Sequence, residues 1–415
     1  MSSQEIAAAV LMSSALTADA VAQPAASSSP KPEIVAGNTA FACDLYARLS
    51  PTQGNLFFSP LSVSTALAMT ASGARGETAR QMLRALHLPA SQGEAAQTGF
   101  AALLRHFEDI NRAGEVELDL ANSLWPQAGD PILDDFLIQT RQHYGVEITA
   151  LDYRHAGAEA RAPINRRVED KTKNRIRNVI ASPLPDTTQL VLVNAVYFKG
   201  KWDDPFEPRA TRNAGFFSTP DRIVNVQLMT RTGWFGYAET ADSQILELPY
   251  TGRALSMVVL LPKDKTPAGL VRLEKTLHHQ AIAALRSKLK PTRVELLLPR
   301  FRIEWGTTPL TPMLEKLGIR DAFQGSKADF SGISSDRSFF ISDVLQKAFV
   351  AVDEEGTEAA AATGGAVAAS APLNPPPVFR ADHPFVFFIE DKATGSMLFM
   401  GRLADPADPT ASPSP

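Results

Sequence analysis

Residues 353–371 read DEEGTEAAAATGGAVAASA, an acidic stretch that runs into small residues with neither proline nor lysine. Its flanks turn that tract into a constraint on the fold. Before it, FFISDVLQKAFVAV (339–352) has the Val, Phe and Ala content of a β-strand. After it, PPPVFRADHPFVFFIEDKATGSMLFMGRLADP (375–406) reads as two more strands and a turn. An Ala/Gly tract is ordinarily a linker between domains, but residues 372–415 are too few to build a second one. The peptide must therefore leave and re-enter a single domain between two of its strands.

No charge run, Pro/Gly linker or repeat divides residues 36–406, so the chain of 415 residues reads as one large mixed domain. Residues 1–35 form a leader and 407–415 a disordered tail, since QPAASSSPKP and DPADPTASPSP lack the apolar content to order themselves. IAAAVLMSSAL followed by Ala20-Val21-Ala22 has the pattern of a secretory signal with a small-x-small cleavage site, although Glu5 stands where such signals carry Lys or Arg. The expected location is secreted or periplasmic, with the cytoplasm as the alternative. A net charge of −4 with scattered basic residues excludes nucleic acid and acidic membrane as expected partners.

The single Cys43 permits no internal disulfide, and its helical context AFACDLYARL marks it as a small buried apolar residue. Stability must come from the core, which 44% hydrophobic residues supply at this length. The sequence has no Gly-x-Ser-x-Gly elbow, no Gly-rich phosphate loop, no His-Glu-x-x-His and no Cys pair for metal, so an enzyme, a cofactor and a metal site are not expected. The seven histidines are dispersed, and His278-His279 read as surface residues of a helical stretch. No Asn-x-Ser/Thr sequon occurs, as in a non-glycosylated, bacterial product.

Ser59 is placed to cap a helix that opens with Pro60 and runs through VSTALAMTASGA to the glycines Gly73 and Gly76. LVLVNAVYF is a nearly unbroken apolar run, the mark of a strand buried on both faces, and VELLLPRFRIEW reads likewise as strand. Helices dominate the first half and strands the second, which indicates an α+β fold.

Blocks in order along the chain then resemble the serpins: NLFFSPLSVSTALAMTASGARGETARQM (55–82), LVLVNAVYFKGKWDDPF (190–206), ILELPYTGRALSMVVLLP (245–262), VELLLPRF (294–301), LEKLGIRDAF, ADFSGIS, and HPFVFFIEDKATGSMLFMGR ending at Arg402. The resemblance spans residues 36–406. It implies helices around a large mixed central sheet plus smaller sheets, with an exposed reactive-centre loop at about 354–380. It also implies a suicide-substrate mechanism. A protease forms an acyl bond with the loop, and the cut loop inserts as an extra strand beside 339–352, dragging the protease across the domain before water completes hydrolysis. About a dozen new strand residues at roughly 1 kcal/mol net per hydrogen bond would release on the order of 10 kcal/mol.

Insertion demands that every second loop residue enter the core face without bulk or charge. Counting in twos gives Thr357, Ala359, Ala361, Thr363, Gly365 and Val367, all uncharged, while Glu358 falls on the solvent face. The hinge is thus Glu354, Gly356, Thr357, Glu358, Ala359, Ala360, Ala361 and Ala362, a composition that favours an inhibitor over a non-inhibitory storage or chaperone-like serpin. The resemblance also implies a sheet-opening region: Glu354 paired with Arg300 above, Trp202 beneath, and Ser59, Ser62, Asn194, Gln346 and Lys347 lower down. Gln346 stands where the family usually has His, so a polar link from it to Asn194 is not implied. Arg167 replaces a frequent Trp.

The family's hinge spacing, fifteen residues inclusive from Gly356, points to the bond Ser370–Ala371. Counting back from Pro384 gives Leu373–Asn374, and Ala369–Ser370 is the third choice. No Lys or Arg lies between Gly356 and Phe379, which excludes a trypsin-like target. Elastase-, subtilisin- or chymotrypsin-like serine proteases are the expected partners, with papain-like cysteine proteases as the alternative. The segment TGFAALLRHFEDINRA sets Glu108 and Asp109 among Arg105, His106 and Arg112, so heparin is not an expected partner, and the chain is expected to be a monomer.

Overall fold

The computed structural model describes residues 30–89, 93–146, 148–357, 375–408 and 410–411. The first half is mostly helical: α1 (Pro32–Leu49), β1 (Leu56–Phe58), α2 (Pro60–Ser72), α3 (Gly76–Ala85), α4 (Gly93–Arg112), β2 (Val116–Pro126), α5 (Asp134–Tyr144) and α6 (Tyr153–Lys171). Strands follow: β3 (Leu190–Lys201), β4 (Arg212–Thr219), β5 (Arg222–Glu239), β6 (Ser243–Pro249) and β7 (Leu255–Pro262). Next come α7 (Pro267–Lys275), α8 (His279–Lys288), β8 (Lys290–Pro299), β9 (Phe301–Pro309) and α9 (Thr311–Lys316). The chain ends with β10 (Asp343–Val352), β11 (Gly356–Thr357), β12 (Val378–Arg380), β13 (Phe385–Asp391), β14 (Met397–Leu403) and β15 (Thr410–Ala411).

These strands make two mixed sheets. One has six strands in the order β15-β9-β10-β11-β3-β2, with β10 also paired directly to β3; the other has nine, β1-β14-β13-β7-β6-β5-β8-β12 with β4 beside β5. The smaller sheets expected around the central sheet are thus joined into one nine-stranded sheet, because the 18 residues of β5 reach from the β4 hairpin, past β8, to β6.

The expected two-sided burial of LVLVNAVYF has a concrete cause. Leu190, Leu192, Val196 and Phe198 of β3 join the main core on the α2 side, whereas Val191, Val193, Ala195 and Tyr197 face a second core with Tyr153, Ala160, Ile164 and Val168 of α6. β10 divides the same way, Val344, Ala348, Val350 and Val352 inward, Leu345 and Phe349 toward α6. The strand period of two puts alternate residues on opposite faces, and with both faces covered neither set is polar. α2 lies inside: Pro60 through Ala71 are all buried, and a helix surrounded on every side has no reason to be amphipathic. It begins as its capping residue requires, Ser59 Oγ accepting the Ser62 N–H at 3.2 Å with Pro60 in the first turn.

The strand expected from Phe339 starts only at Asp343. Residues 339–342 spend their groups elsewhere: Ile341 N–H bonds Ala322 O, Ser342 N–H bonds Leu190 O, and Phe339 packs edge-on to Phe330 in the core. At the ends, α1 starts at Pro32 with Ile34 and Val35 buried, ahead of the boundary at 36, and Thr410–Ala411 run parallel to Glu304–Trp305 within the segment 407–415 that was expected to be disordered. Cys43 is buried, which with the nearby Asp44 pushes its thiol up to about 12. His278 is exposed and caps α8, its Nδ1 accepting the Ala281 N–H. Among the described residues no helix is long and apolar enough to cross a membrane, and no cluster of His, Cys, Asp and Glu could hold a metal ion.

Candidate functional site: the hinge and the sheet opening

β10 and β3 run parallel and in register from Asp343 opposite Val191 to Phe349 opposite Tyr197. Beyond that point they part, and the chain that leaves β10 turns back into the gap. Gly356 faces Lys201 and Thr357 faces Gly200, antiparallel, while Thr357 also faces Val352 of β10. β11 is therefore a two-residue strand, antiparallel to both neighbours. The turn before it is built by Asp353, whose N–H bonds Gly356 O at 2.9 Å and whose Oδ1 accepts the N–H groups of Glu355 (3.0 Å) and Gly356 (3.3 Å). Gly356 is needed for close approach: a Cβ there would come within 2.0 Å of the Gly200 carbonyl oxygen.

The end of β3 holds this turn from below. Trp202 donates its indole N–H to Asp353 O at 2.9 Å and its backbone N–H to Glu355 O at 2.7 Å, and Phe206 N–H bonds Glu354 O at 2.8 Å. The expected ion pair is present: Arg300 Nε lies 2.6 Å from Glu354 Oε2 and Nη2 2.5 Å from Oε1, with Thr211 Oγ1 donating to the same carboxylate. Burial of Glu354, only 4% exposed, works to raise its pKa, but the hydrogen bonds from Arg300 and Thr211 outweigh it and hold the carboxyl below its usual range.

Thr357 is fully buried, and its Oγ1 lies 2.8 Å from the hydroxyl of Tyr250, itself fully buried and stacked on Trp202 at 4.8 Å between ring centroids. Burial pushes the Tyr250 phenol well above its ordinary pKa, so it is a neutral hydroxyl. Tyr250 and Thr211 escaped the reading of the sequence. Tyr250 ends the block ILELPY, but nothing in that block signals a partner 107 residues away.

Lower down, the expected polar residues meet between α2, β2, β3 and β10. Gln346 clasps the backbone of Ser59, its Oε1 accepting the N–H at 3.2 Å and its Nε2 donating to the C=O at 3.0 Å, and it makes no bond to Asn194. Ser62 Oγ sits between Asn122 Oδ1 and Asn194 Oδ1, and Asn194 Nδ2 reaches Leu345 O at 3.4 Å. Ser59 Oγ also donates to Leu398 O. Lys347 belongs to the other face, with Nζ on Arg177 O and Glu304. Arg167 is half-buried on α6 and lines a cavity beside β2. Residues Glu358, Ala359, Ala360, Ala361, Ala362, Ala369, Ser370, Ala371, Leu373 and Asn374 lie outside the described residues.

A family profile described as Serpin (serine protease inhibitor) matches residues 36–406. The chain is a serpin. Over 387 residues it is 41% identical to the human leukocyte elastase inhibitor, covering 90% of this chain and 100% of that protein. Among solved structures, Serpin48 of the insect Tenebrio molitor superposes with a TM-score of 0.77 at 32% identity, covering 90% of this serpin and 98% of that one. Human thyroxine-binding globulin complexed with thyroxine superposes with a TM-score of 0.80 at 28% identity, covering 90% and 98%. The expected α+β serpin fold is thus the observed one.

Proposed function

We propose that this serpin is inhibitory and traps a serine protease as a covalent acyl complex. The protease's nucleophilic oxygen attacks the carbonyl of the loop residue, the peptide bond breaks, and the new amino terminus leaves with the proton. The freed hinge then continues into the sheet between β10 and β3. The observation that carries this reading is the seat of Gly356 and Thr357, antiparallel to both neighbours with the Thr357 side chain buried. Each further residue inserted would exchange a parallel β3–β10 pairing for two antiparallel ones, which are slightly more stable per residue. The fold alone does not choose, since thyroxine-binding globulin shares it; the hinge composition and the elastase-inhibitor relatives favour inhibition.

Within this reading the cleaved bond is Ser370–Ala371, with Leu373–Asn374 and Ala369–Ser370 as alternatives, and the targets are elastase-, subtilisin- or chymotrypsin-like. The protein should be mixed with elastase, subtilisin, chymotrypsin, trypsin and papain and run on a denaturing gel. An adduct that survives boiling with one or more of the first three, and none with trypsin, is the expected result. Release of every protease in active form with a nicked serpin would replace this reading with a non-inhibitory one, and an adduct with papain alone would move the target to cysteine proteases. Export rests on the leader sequence alone, and amino-terminal sequencing of the natural protein decides it: a start after Ala22 supports export, and retention of residues 1–22 supports the cytoplasm.

A further inference from the structure

The inserted face of the hinge poses a problem of register. Were the strand to continue past Thr357, its alternation would bring Ala359 and Ala361 to the core face, so a slip of two residues would present an alanine methyl where Thr357 now sits and keep the apolar pattern intact. A slip of one is excluded, because it would turn Glu358 inward. Strands of small, similar residues specify their register weakly. Something other than hydrophobic pattern must choose between the native register and its neighbour two residues away.

Two features of the hinge distinguish them: the close approach of Gly356 to the Gly200 carbonyl, a place that a slip of two would give to Glu358 with its Cβ, and one side-chain contact. Tyr250 is 0% exposed and its Oη has a single hydrogen-bond partner among the described residues, Thr357 Oγ1 at 2.8 Å. The ring cannot turn aside to find another, since Trp202 stacks on it at 4.8 Å with the planes 13° apart and Phe198 meets it edge-on at 5.0 Å. Gly200 on β3 leaves room for it, for a Cβ there would come within 2.7 Å of Tyr250 Cδ1. Trp202 in turn is tied to the turn by Asp353 O and Glu355 O. In the slipped register the phenol would face a methyl group and lose its partner in a dry site, which is the costly way to lose a hydrogen bond.

We propose that Tyr250 is a positioning residue that, beside the close approach of Gly356, holds the register of loop insertion by hydrogen-bonding Thr357 already in the uncleaved protein. It does not touch the protease or the reacting bond. It acts through Thr357, which adds to Gly356 a second position that fits only one way. The inference rests on the inhibitory reading for its consequence, but the contact itself belongs to the intact molecule, so the two can fail separately.

Four variants test it: Tyr250→Phe, Thr357→Val, the double variant, and Thr357→Ser, which keeps the hydroxyl. Two quantities are read. One is hydrogen exchange of the hinge amides 353–357 in the intact protein, which needs no protease. The other is the number of serpin molecules consumed per protease inactivated, using whichever of elastase or subtilisin the wild type traps. Each single loss of a hydroxyl should raise both by about fivefold, while Thr357→Ser stays within about twofold of wild type. The double variant decides between a register pin and a mere unpaired group. A pin, once gone, leaves both quantities raised. If the double variant returns to wild-type values, the single variants suffered only from an unsatisfied buried hydroxyl, and the proposal is overturned. It is equally overturned if hinge exchange is unchanged in Tyr250→Phe and Thr357→Val. A wild type that traps no protease sinks the inhibitory reading and leaves the exchange arm to judge the contact.

Discussion

The two ends of the β3–β10 junction are built on opposite plans. At the lower end the strands are bonded directly, and both faces of the seam are packed, one by the main core and one by α6. At the upper end they have parted and the chain's own hinge fills the gap, held by an ion pair, a hydroxyl pair and the backbone bonds of Trp202 and Phe206. The lower end rests mainly on apolar burial spread over many residues, with the Gln346–Ser59 clasp and the Ser62–Asn122–Asn194 cluster set into it, and the upper on a few directed polar contacts. Directed contacts can be exchanged one at a time as a strand advances, whereas a packed seam opens only when something pushes it apart. Under the proposed inhibitory mechanism this difference makes the upper end the entrance.

The sharpest way to break this comparison is to charge the entrance. Thr357→Arg would bury a cation where Tyr250 offers only a hydroxyl, at a cost of several kcal/mol, and should turn the inhibitor into a substrate, with protease released active in the titration. An unchanged number of proteases trapped per serpin would show that Thr357 does not stay on the core face.

A smaller effect is expected lower down. Gln346→Ala removes both clasps on the Ser59 backbone in a fully buried site and should lower the stability of the intact protein by about 1–3 kcal/mol, seen in thermal unfolding. Gln346→His should restore part of it and introduce a pH dependence near neutrality that the amide lacks.

Acid separates the two ends. Glu354 at the entrance has a lowered pKa, so the stability it lends is complete above the usual glutamate range and is lost as pH falls through the folded value. Asp343 at the foot of β10 is the reverse: burial outweighs its bonds to Thr311 and Val344 and raises its pKa, so lowering the pH relieves a strain there rather than creating one. Hydrogen exchange below about pH 4 should therefore quicken at 353–357 before it does at 343–349; simultaneous loosening would count against the assignment. The least effect belongs to Lys347→Met, whose ion pair with the half-exposed Glu304 should be worth under about 1 kcal/mol.

Much of the lower end was legible from local pattern, because apolar runs such as LVLVNAVYF and the Ser59-Pro60 cap report directly on burial and helix start. The polar residues of the opening were legible through the family resemblance, residue by residue, and Gln346 departed from it as its chemistry requires, an amide gripping a backbone N–H and C=O together. The contacts that define the entrance were not legible. Tyr250 and Thr211 reach the hinge across more than a hundred residues, and the false start of β10 at Phe339 arose because Phe, Phe and Ile favour a strand unless the core offers them a better place. Pattern predicts which face a residue presents, but only the assembled fold says what it meets there.

The central claim is that the intact sheet lacks a strand its own loop can supply, and that its native state is held by a barrier rather than by lowest free energy. The direct test is limited proteolysis of the loop, thermal unfolding by circular dichroism before and after, and mass spectrometry of the released carboxy-terminal peptide. A sharp rise in unfolding temperature on cleavage, with a peptide beginning at Ala371, is the predicted result; a peptide beginning at Asn374 moves the bond to Leu373. A cleaved protein that unfolds at the same temperature as the intact one, or lower, would contradict the account.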